Sequence, residues 1–382
     1  MNHLQRSLTL TEMTNNLLNK CDLPASLTIE HCASLLSMSM TSFRRKLAQE
    51  EASYKLIQSK FLNELCVHAL LTQLIKIEEL SFKLGYSERA TFERAFKQKF
   101  GITPSQFREL SMIGNNKGNR QNIIKIAQNM PPMPDSCQQL LREKDQNNLD
   151  ISRIVLIIEK DPIFVGRIMG LASRAIYGKT PSNVQEAISR NLGMNTVLNL
   201  AVMYAISDAL QGQVNQAVIE QYTQAFLMAP KLFKLVRQSL KGVVKFDISV
   251  TEQLLIFSLL GIFLLNHREA HQHKLILHSI QGIDNLPLLN THINDIMQIS
   301  IFSASALMLS LWHVDAKVIK QLTHLDKFSQ KKVKGTPQDE VVLFMLSCLY
   351  SSARRNSDYT ELEEAAALLN ISDFSDIQTL LF

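Results

Sequence analysis

The stretch IEELSFKLGYSERATFERAFKQKFGITPSQFR, residues 77–108, decides the fold of the N-terminal third of the chain. Ile77, Leu80 and Leu84 recur at the spacing of one helix face. Gly85 follows them, and glycine readily adopts the left-handed backbone conformation that a sharp turn after a helix requires. The pattern therefore predicts a short helix, a tight turn and a second helix.

The second predicted helix separates an apolar face from a polar face. Ser87 can cap its N-terminus, because a serine side chain accepts a hydrogen bond from a free N–H of the first turn. The predicted inward residues are Phe92, Ala95, Phe96 and Phe100. The predicted outward residues are Arg89, Ala90, Thr91, Glu93, Arg94 and Lys97. A capped helix that presents arginine, threonine and small side chains suits the major groove of DNA. Thr103 and Gln106 then have the capping-box spacing that starts another helix.

A fainter copy of this pattern precedes it in TIEHCASLLSMSMTSFRRKL, residues 28–47. Thr28 and Ser39 are predicted to cap its two helices. The outward residues of its second helix are Thr41, Arg44 and Arg45. A longer helix over residues 54–74 separates the two copies, and its predicted inward residues are Leu56, Ile57, Phe61, Leu65, Ala69 and Leu70. Such a helix would hold the two outward faces at a fixed separation.

Exposed arginines also have a simpler explanation, because most charged surface residues only keep a helix face soluble. The capped and duplicated setting nevertheless favours nucleic-acid contact for Arg89 and Arg94. For Phe92, Phe96 and Phe100, core packing is the preferred interpretation over base stacking, since helical spacing already accounts for them.

The positive charge of the chain is concentrated in this same third. Residues 1–120 contain 16 Lys and Arg against 11 Asp and Glu, whereas residues 121–382 contain 24 of each kind. The excess favours an anionic partner, although it would also suit a domain that is merely soluble. Apolar residues make up 46% of the chain and recur at helical spacing almost throughout, so we expect an all-α protein.

Cysteine usage and apolar segments favour a cytoplasmic protein that does not bind a membrane. The cysteines show no zinc or redox spacing and are Cys21, Cys32, Cys66, Cys137 and Cys348. The N-terminal residues lack the pattern of a secretory signal. The longest apolar stretch, residues 254–265, is shorter than the roughly 20 residues that a membrane-spanning helix needs.

Residues 27–108 resemble the AraC/XylS-type DNA-binding domain, in which two helix-turn-helix units joined by a linker helix read successive major grooves. The stretch GYSERATFERAFKQKFGITPSQFR carries this resemblance with high specificity. The chain departs from the family pattern at Ser37, Ala52 and Asn63. The resemblance implies that the DNA-binding residues are Thr41, Arg44, Arg45, Arg89, Ala90, Thr91 and Arg94.

The remaining two thirds carry a second set of motifs, PPMP at 131–134, DPIFVGRIMGLASRAIYG at 161–178 and VQEAISRNLG at 184–193. Asp161 and Pro162 are predicted to begin a helix. Ser182 and Gln185 have capping-box spacing and are predicted to begin the next helix. The inner face of the first helix is predicted at Val165, Ile168, Met169 and Ala172. These segments resemble the HDOD family, all-helical relatives of the HD-type metal phosphohydrolases found in bacterial signalling proteins. Weaker similarity continues at residues 254–265, 309–325 and 368–381.

The chemistry of the parent phosphohydrolases requires a histidine and an adjacent His-Asp pair, because bound metal ions must lower the pKa of the attacking water. The corresponding residues here are Leu259, Leu260, Gly261, Ile262 and Phe263. We therefore expect no catalytic residue, no bound metal and no cofactor in the larger domain.

Several histidines offer an alternative site. His267, His271, His273 and His278 cluster, and the first two have the one-turn spacing that can place two imidazoles on one helix face. A solvated helix end or loop is the simpler interpretation, since Glu269 is the one carboxylate close to them in sequence. His313 and His324 are interpreted as structural histidines, and Trp312 as a core residue.

The predicted organisation is a double helix-turn-helix DNA-binding domain over residues 1–112, a linker over 113–120 and an HDOD-like regulatory domain over 121–382. A further loop is expected at residues 329–336, with the helices after it capping the larger domain. This order predicts a transcriptional regulator that binds double-stranded DNA and whose larger domain senses a small signalling ligand or docks a protein partner. A homodimer is a further expectation, because two linked DNA contacts raise affinity.

Two other functions stay open at this point. The chain could be a signalling adaptor whose helix-turn-helix pair no longer reads DNA. It could also be an enzyme with a relocated metal site between His267 and His278.

Overall fold

The computed structural model describes residues 9–50, 52–72, 75–100, 102–112, 150–174, 178–270, 273–312, 316–372 and 374–381, with single positions at 126, 137, 139, 140, 143 and 314. Every regular element over these residues is a helix, which confirms the all-α prediction. The chain divides into two compact units, Met1–Met112 and Ile113–Phe382. The predicted linker at 113–120 and the PPMP segment lie outside the described residues, so the domain bounds stay a prediction.

The first unit contains two helix-turn-helix pairs and a connecting helix. Its elements are α1 (Leu10–Lys20), a 3-10 turn (Pro24–Ser26), α2 (Ile29–Leu35), α3 (Met40–Gln49), α4 (Tyr54–Thr72), α5 (Ile77–Lys83), α6 (Arg89–Phe100) and α7 (Pro104–Met112). Helix α2 packs on α3, and α5 packs on α6. Helix α4 contacts α1 and the 3-10 turn as well as α7, and it thereby connects the two pairs.

Both helix-turn-helix pairs use a residue with a left-handed backbone in the turn. Gly85 has a φ of 83°, as the sequence predicted, and Ser37 has a φ of 55° at the matching place in the first pair. Ser37 supplies this turn at a cost of about 1 to 2 kcal/mol, because its Cβ crowds the backbone there. Packing also requires glycine at this position, because a Cβ on Gly85 would lie 2.7 Å from the Cβ of Ala25.

The predicted helix caps of the first unit are largely confirmed. The hydroxyl of Thr28 accepts a hydrogen bond from the His31 N–H at 3.2 Å, and that of Ser39 accepts one from the Ser42 N–H at 3.2 Å. A reciprocal pair links Thr103 and Gln106 at the start of α7. Helix α6 begins at Arg89, one residue later than the sequence predicted.

The predicted inward face of α4 was wrong at one residue. Leu56 is 59% exposed, whereas Ile57 is buried. The buried face follows Tyr54 and Ile57, and a residue one position away on a helix points about 100° from its neighbour. Leu56 therefore falls outside the face that packs on the 3-10 turn.

Over its described residues, the second unit contains helices α8 to α22. They are α8 (Ile151–Glu159), α9 (Pro162–Ala172), α10 (Val184–Glu186) continued by a π-helical turn (Ala187–Leu192), α11 (Met194–Ala209), α12 (Gln216–Phe226), α13 (Ala229–Ser239), α14 (Ile248–Phe257), α15 (Gly261–Leu265), α16 (His273–Gly282), α17 (Leu286–Met297), α18 (Ile301–Leu311), α19 (Ala316–Ser329), α20 (Pro337–Arg354), α21 (Thr360–Leu368) and α22 (Phe374–Leu381).

Two local predictions for this unit needed correction. The Asp161 carboxylate caps α9 through the N–H groups of Ile163 and Phe164, as expected, but the buried face of α9 includes Phe164 and Leu171, whereas Val165 and Met169 are only half-buried. The next helix is capped by Asn183, which accepts a hydrogen bond from the Glu186 N–H, and not by Ser182. The cap is displaced by one residue, and the buried face of α9 keeps the predicted Ile168 and Ala172, because neighbouring positions satisfied nearly the same spacing pattern.

The helix after the predicted loop at 329–336 is a core element and not a cap on the unit. Helix α20 packs against α12, α14, α17 and α19. Its inward residues Leu346, Cys348, Leu349 and Tyr350 are fully buried. The expectation of a peripheral cap was wrong because a helix at the end of a sequence can still pass through the centre of a fold.

One stretch of the described residues, Ile248–Leu265, is long and apolar enough to cross a membrane, with a mean hydropathy of 2.0. It consists of two helices, α14 and α15, and 83% of it is buried inside the unit. A second candidate span arises only if α17 and α18 are joined across their 75° bend. Core packing accounts for the apolar composition of both segments.

A buried polar cluster joins α17, α18 and α19. The Asp326 carboxylate accepts hydrogen bonds from Asn290 Nδ2 at 3.0 Å, Ser300 Oγ at 2.7 Å, Ser303 Oγ at 2.7 Å and Gln330 Nε2 at 2.8 Å. Buried carboxylates are tolerated when donors surround them. This cluster therefore fixes the three helices at one relative position.

Candidate nucleic-acid interface

Helices α3 and α6 present the polar faces that the sequence predicted. Each is the second helix of its pair. All seven predicted site residues are exposed, namely Thr41, Arg44, Arg45, Arg89, Ala90, Thr91 and Arg94. Their exposure leaves them available to a ligand, and their contact with DNA stays a prediction.

The aromatic residues of α6 form the support behind this face. Phe92, Phe96 and Phe100 are buried, as the core interpretation predicted. The rings of Phe96 and Phe100 stack with centroids 4.3 Å apart, and Phe107 of α7 meets Phe96 edge to face at 5.5 Å. Such aromatic packing holds α6 firmly against α7.

The two exposed faces share one arrangement of side chains. Residues four apart lie on the same stripe of a helix. On α6 this stripe consists of Ala90, Arg94 and Gln98, all exposed. On α3 it consists of Thr41, Arg45 and Gln49, all exposed. Each stripe therefore carries an arginine followed one turn later by a glutamine.

The two glutamines were missed by the sequence analysis. Gln49 and Gln98 lie near the ends of their helices, and the resemblance implied residues only in the first two turns. The four-residue spacing from Arg45 and Arg94 was the signal that could have found them.

The arginines differ in whether they already have a partner. Arg89 forms an ion pair with Glu93 one turn along α6, with its Nε 2.7 Å from the carboxylate. Within the part of the chain that the structure describes, Arg44, Arg45 and Arg94 make no side-chain hydrogen bond or ion pair. An exposed ion pair contributes at most about 1 kcal/mol, so Arg89 can be released at small cost.

Several side chains fix the helices relative to one another within the first unit. The hydroxyl of Tyr54 on α4 donates to the Leu27 carbonyl at 2.5 Å, and Gln58 Nε2 donates to the same carbonyl at 2.9 Å. Arg108 of α7 donates to the Ile75 carbonyl at 2.7 Å, and burial lowers the pKa of its guanidinium. The bonds to Leu27 hold α4 against the start of the first pair, and the bond from Arg108 ties α7 to the segment before α5.

Glu50, directly after α3, binds the N-terminus of α1. Its carboxylate accepts hydrogen bonds from the N–H groups of Leu10 at 2.8 Å and Thr11 at 2.9 Å, and from the Thr11 hydroxyl at 2.7 Å. The hydrogen bonds from Thr11 lower the pKa of Glu50 below its ordinary value. A carboxylate at a helix N-terminus is favourable, so α1 braces the C-terminal end of α3.

In the second unit, the residues that would correspond to the metal ligands of a phosphohydrolase lie in an apolar core. Leu259, Leu260, Ile262 and Phe263 are fully buried. Gly261 allows α15 to touch α18, and its N–H donates to Ser305 Oγ at 2.6 Å. Apolar side chains and a helix contact thus occupy this region.

The histidine cluster does not assemble a metal site among the described residues. His267 is buried, its Nδ1 accepts a hydrogen bond from the Glu269 N–H at 3.2 Å, and its Nε2 lies 2.6 Å from Gln213 Oε1. Both ring nitrogens are therefore engaged, and burial lowers the pKa of His267. His271 lies outside the described residues, and His278 is exposed. No group of three or more His, Cys, Asp or Glu that could hold a metal ion occurs in the described ranges.

The other singled-out residues of this unit have structural surroundings. His324 Nε2 lies 3.2 Å from an oxygen of Asp339, which also forms the capping box of α20 with Thr336. Trp312 is buried, as predicted. His313 lies outside the described residues.

Comparison with protein families gives two matches along the chain. The HDOD domain matches residues 130–328, and a helix-turn-helix domain matches residues 30–110. Both resemblances found in the sequence are thereby confirmed.

Two curated relatives each match about a fifth of the chain. The HTH-type transcriptional regulator VqsM from Pseudomonas aeruginosa is 37% identical over 76 residues, which cover 20% of this chain and 23% of that protein. An HTH-type transcriptional regulator from Mycobacterium tuberculosis is 31% identical over 80 residues, which cover 21% of this chain and 23% of that protein. The chain thus spans less than a quarter of the length of these relatives.

Two solved structures share weak similarity with a large part of the chain. One is described as a signal transduction protein from Marinobacter aquaeolei, with 17% identity, a TM-score of 0.48 and coverage of 70% of this chain and 64% of the other. The second is described as a phosphohydrolase from Shewanella amazonensis, with 15% identity, a TM-score of 0.47 and coverage of 68% and 93%.

Proposed function

This chain belongs to the HDOD family, and from that premise and its helix-turn-helix domain we propose that it is a cytoplasmic DNA-binding transcriptional regulator. The observation that carries the proposal is the repeated exposed stripe on α3 and α6. Two helices, each the second of a helix-turn-helix pair, present an unpaired arginine and a glutamine at the same spacing.

The side chains on these stripes suit the major groove. Arginine can bind guanine through two hydrogen bonds, and glutamine can bind adenine in the same way. Four residues of helix rise by about 6 Å, which is close to the length of two base-pair steps. Arg94 and Gln98 could therefore contact bases about two steps apart, and so could Arg45 and Gln49.

We propose that the larger domain has no phosphohydrolase activity and acts by binding a ligand or a protein partner. The support is the apolar core around Gly261, which leaves no side chain there that could hold a hydrolytic metal. Elemental analysis of the full chain should find no stoichiometric metal. A screen of phosphomonoesters, phosphodiesters and cyclic nucleotides with manganese or magnesium should show no turnover. Metal at stoichiometric level with turnover lost on changing His271 or His313 would establish an enzyme instead.

DNA binding is tested by fluorescence anisotropy of a labelled random duplex titrated at low salt, where even non-specific readers bind. The double variant Arg45→Ala/Arg94→Ala should weaken binding and reduce the salt slope by up to about two units. The control Lys274→Ala/Lys320→Ala removes the same charge from exposed helix positions of the larger unit and should leave affinity unchanged. Absence of binding by the wild-type chain would favour the signalling adaptor. If the wild-type chain binds, genome-wide mapping of bound DNA would identify the target sequence.

A further inference from the structure

A cavity of about 560 Å³ lies within the larger unit, between the start of α17, the outer side of α20 and helix α21. Its volume falls within the range of small-molecule sites, roughly 300 to 1,000 Å³. None of the residues that line the cavity belongs to Leu259–Phe263, the segment where the parent phosphohydrolases would hold metal.

The floor of the cavity is apolar. Leu286 and Phe344 are buried beneath it, and Leu343, Leu362 and Leu369 contribute further apolar surface. Leu368 at the edge is 84% exposed. An exposed leucine beside a concave apolar surface favours a ligand with an apolar body.

The rim of the cavity is acidic. It carries Asp284, Glu340, Asp358 and Glu361, and the lining contains no lysine, arginine or histidine. Asp284 forms an ion pair with Arg354. Within the described part of the chain, the other three carboxylates have no ion-pair partner. They create a negative potential that favours a cationic group.

Two of these carboxylates are held in place by neutral donors. Asp358 accepts hydrogen bonds from the Thr360 N–H at 3.0 Å and the Thr360 hydroxyl at 2.8 Å. Glu361 accepts one from Asn285 Nδ2 at 3.0 Å. Their charge is therefore fixed at the rim and not balanced there.

A buried hydroxyl in the lining lacks a partner. Ser351 of α20 is 4% exposed and lines the cavity, and its Oγ makes no hydrogen bond among the described residues. Leaving a buried polar group unpaired costs about 1 to 3 kcal/mol. The Oγ itself has almost no accessible surface, so it adds no polar contact to the cavity.

We propose that this cavity binds a small organic cation, with an aromatic or aliphatic body on the apolar floor and a primary ammonium group at the acidic rim. The floor explains the apolar body, and the three carboxylates without cations explain the charge. The site does not depend on the proposed DNA-binding function. The titration that tests it contains no DNA, so each can fail without the other.

The probes are tryptamine and two compounds of similar shape, tryptophol with a neutral hydroxyl and indole-3-propionate with a carboxylate. Isothermal titration into the full chain should show one tryptamine per chain, bound at least about tenfold more tightly than tryptophol. Indole-3-propionate should not bind. Equal affinity for all three probes, or no binding of tryptamine, would overturn the proposal.

Variants locate the site. Glu340→Gln/Glu361→Gln should reduce tryptamine affinity to about that of tryptophol and leave tryptophol binding unchanged, because only the charge is removed. Glu363→Gln is the control, since Glu363 is exposed on the same helix as Glu361 but does not line the cavity. Ala365→Trp should fill the cavity and abolish binding of both probes, with circular dichroism checking the fold. The proposed location would be refuted if Glu363→Gln lost as much tryptamine affinity as the double variant, or if Ala365→Trp still bound both probes fully.

Discussion

Replacing Gly261 by alanine should destabilise the larger unit, because α15 touches α18 at this residue. A methyl group there would lie 2.1 Å from the carbonyl oxygen of Ile301 and 2.9 Å from the Cβ of Ala304. Both obstacles belong to the backbone or to the first side-chain carbon, so no change of rotamer relieves them. The two helices would have to separate by about 1 Å, and a close-packed interior resists such a shift.

The expected loss follows from three contributions. Overpacking costs about 1 to 3 kcal/mol, and the backbone contact places this case at the upper end. Separation of the helices also stretches the hydrogen bond from the Gly261 N–H to Ser305, which contributes about 1 kcal/mol. The higher helix propensity of alanine offsets at most about 1 kcal/mol. We therefore expect the free energy of unfolding to fall by about 3 kcal/mol.

The assay uses Trp312, the one tryptophan of the sequence, whose fluorescence reports urea unfolding of the larger unit in the full chain. Gly166→Ala and Gly170→Ala are matched controls on α9, because a Cβ at either position meets no heavy atom of the described residues within 4 Å. These controls should leave stability unchanged or raise it by up to about 1 kcal/mol. If Gly261→Ala lies within about 0.5 kcal/mol of wild type, or the controls lose as much as it does, the close-contact argument is refuted.

Three further variants test other parts of the molecule. Arg94→Ala should weaken DNA binding more than Arg44→Ala and reduce the salt slope by about one unit, as measured by anisotropy at several salt concentrations, because Arg94 lies on the central exposed stripe. Asp326→Ala should destabilise the larger unit by about 3 kcal/mol or more in urea unfolding, because three buried donors and the half-buried Gln330 lose their acceptor. Burial lowers the pKa of His267 below its ordinary value of 6.5. Its contribution to stability should therefore be complete above about pH 6.5 and be lost as the pH falls toward the lowered pKa, with the unfolding midpoint followed through Trp312.

Each of these variants has a control. Unchanged affinity and salt slope in both arginine variants would mean that α6 does not read DNA. Asp326→Asn keeps one acceptor oxygen and should lose less stability than Asp326→Ala; equal losses would contradict the role of the cluster. His267→Gln cannot titrate and should flatten the pH dependence, so an unaltered pH profile in that variant would assign the effect to another group.

The sequence by itself determined the features that depend on neighbours within a few residues. The turn at Gly85, the caps at Thr28, Ser39 and Asp161, and the buried face of α6 all follow from local spacing and capping chemistry. The family resemblances rest on the same contiguous segments. The seven predicted site residues were correctly placed on exposed faces for this reason.

Only the tertiary structure decided where each face packs. At Leu56 and at Asn183, two neighbouring residues fitted the spacing pattern, and packing against other helices decided between them. The central position of α20 likewise depends on its contacts with other helices. The contact at Gly261 joins residues about 40 positions apart, and the acidic cavity brings together carboxylates from three separate segments. Residue spacing along the chain does not predict these contacts, because close packing depends on distances between residues that are far apart in sequence.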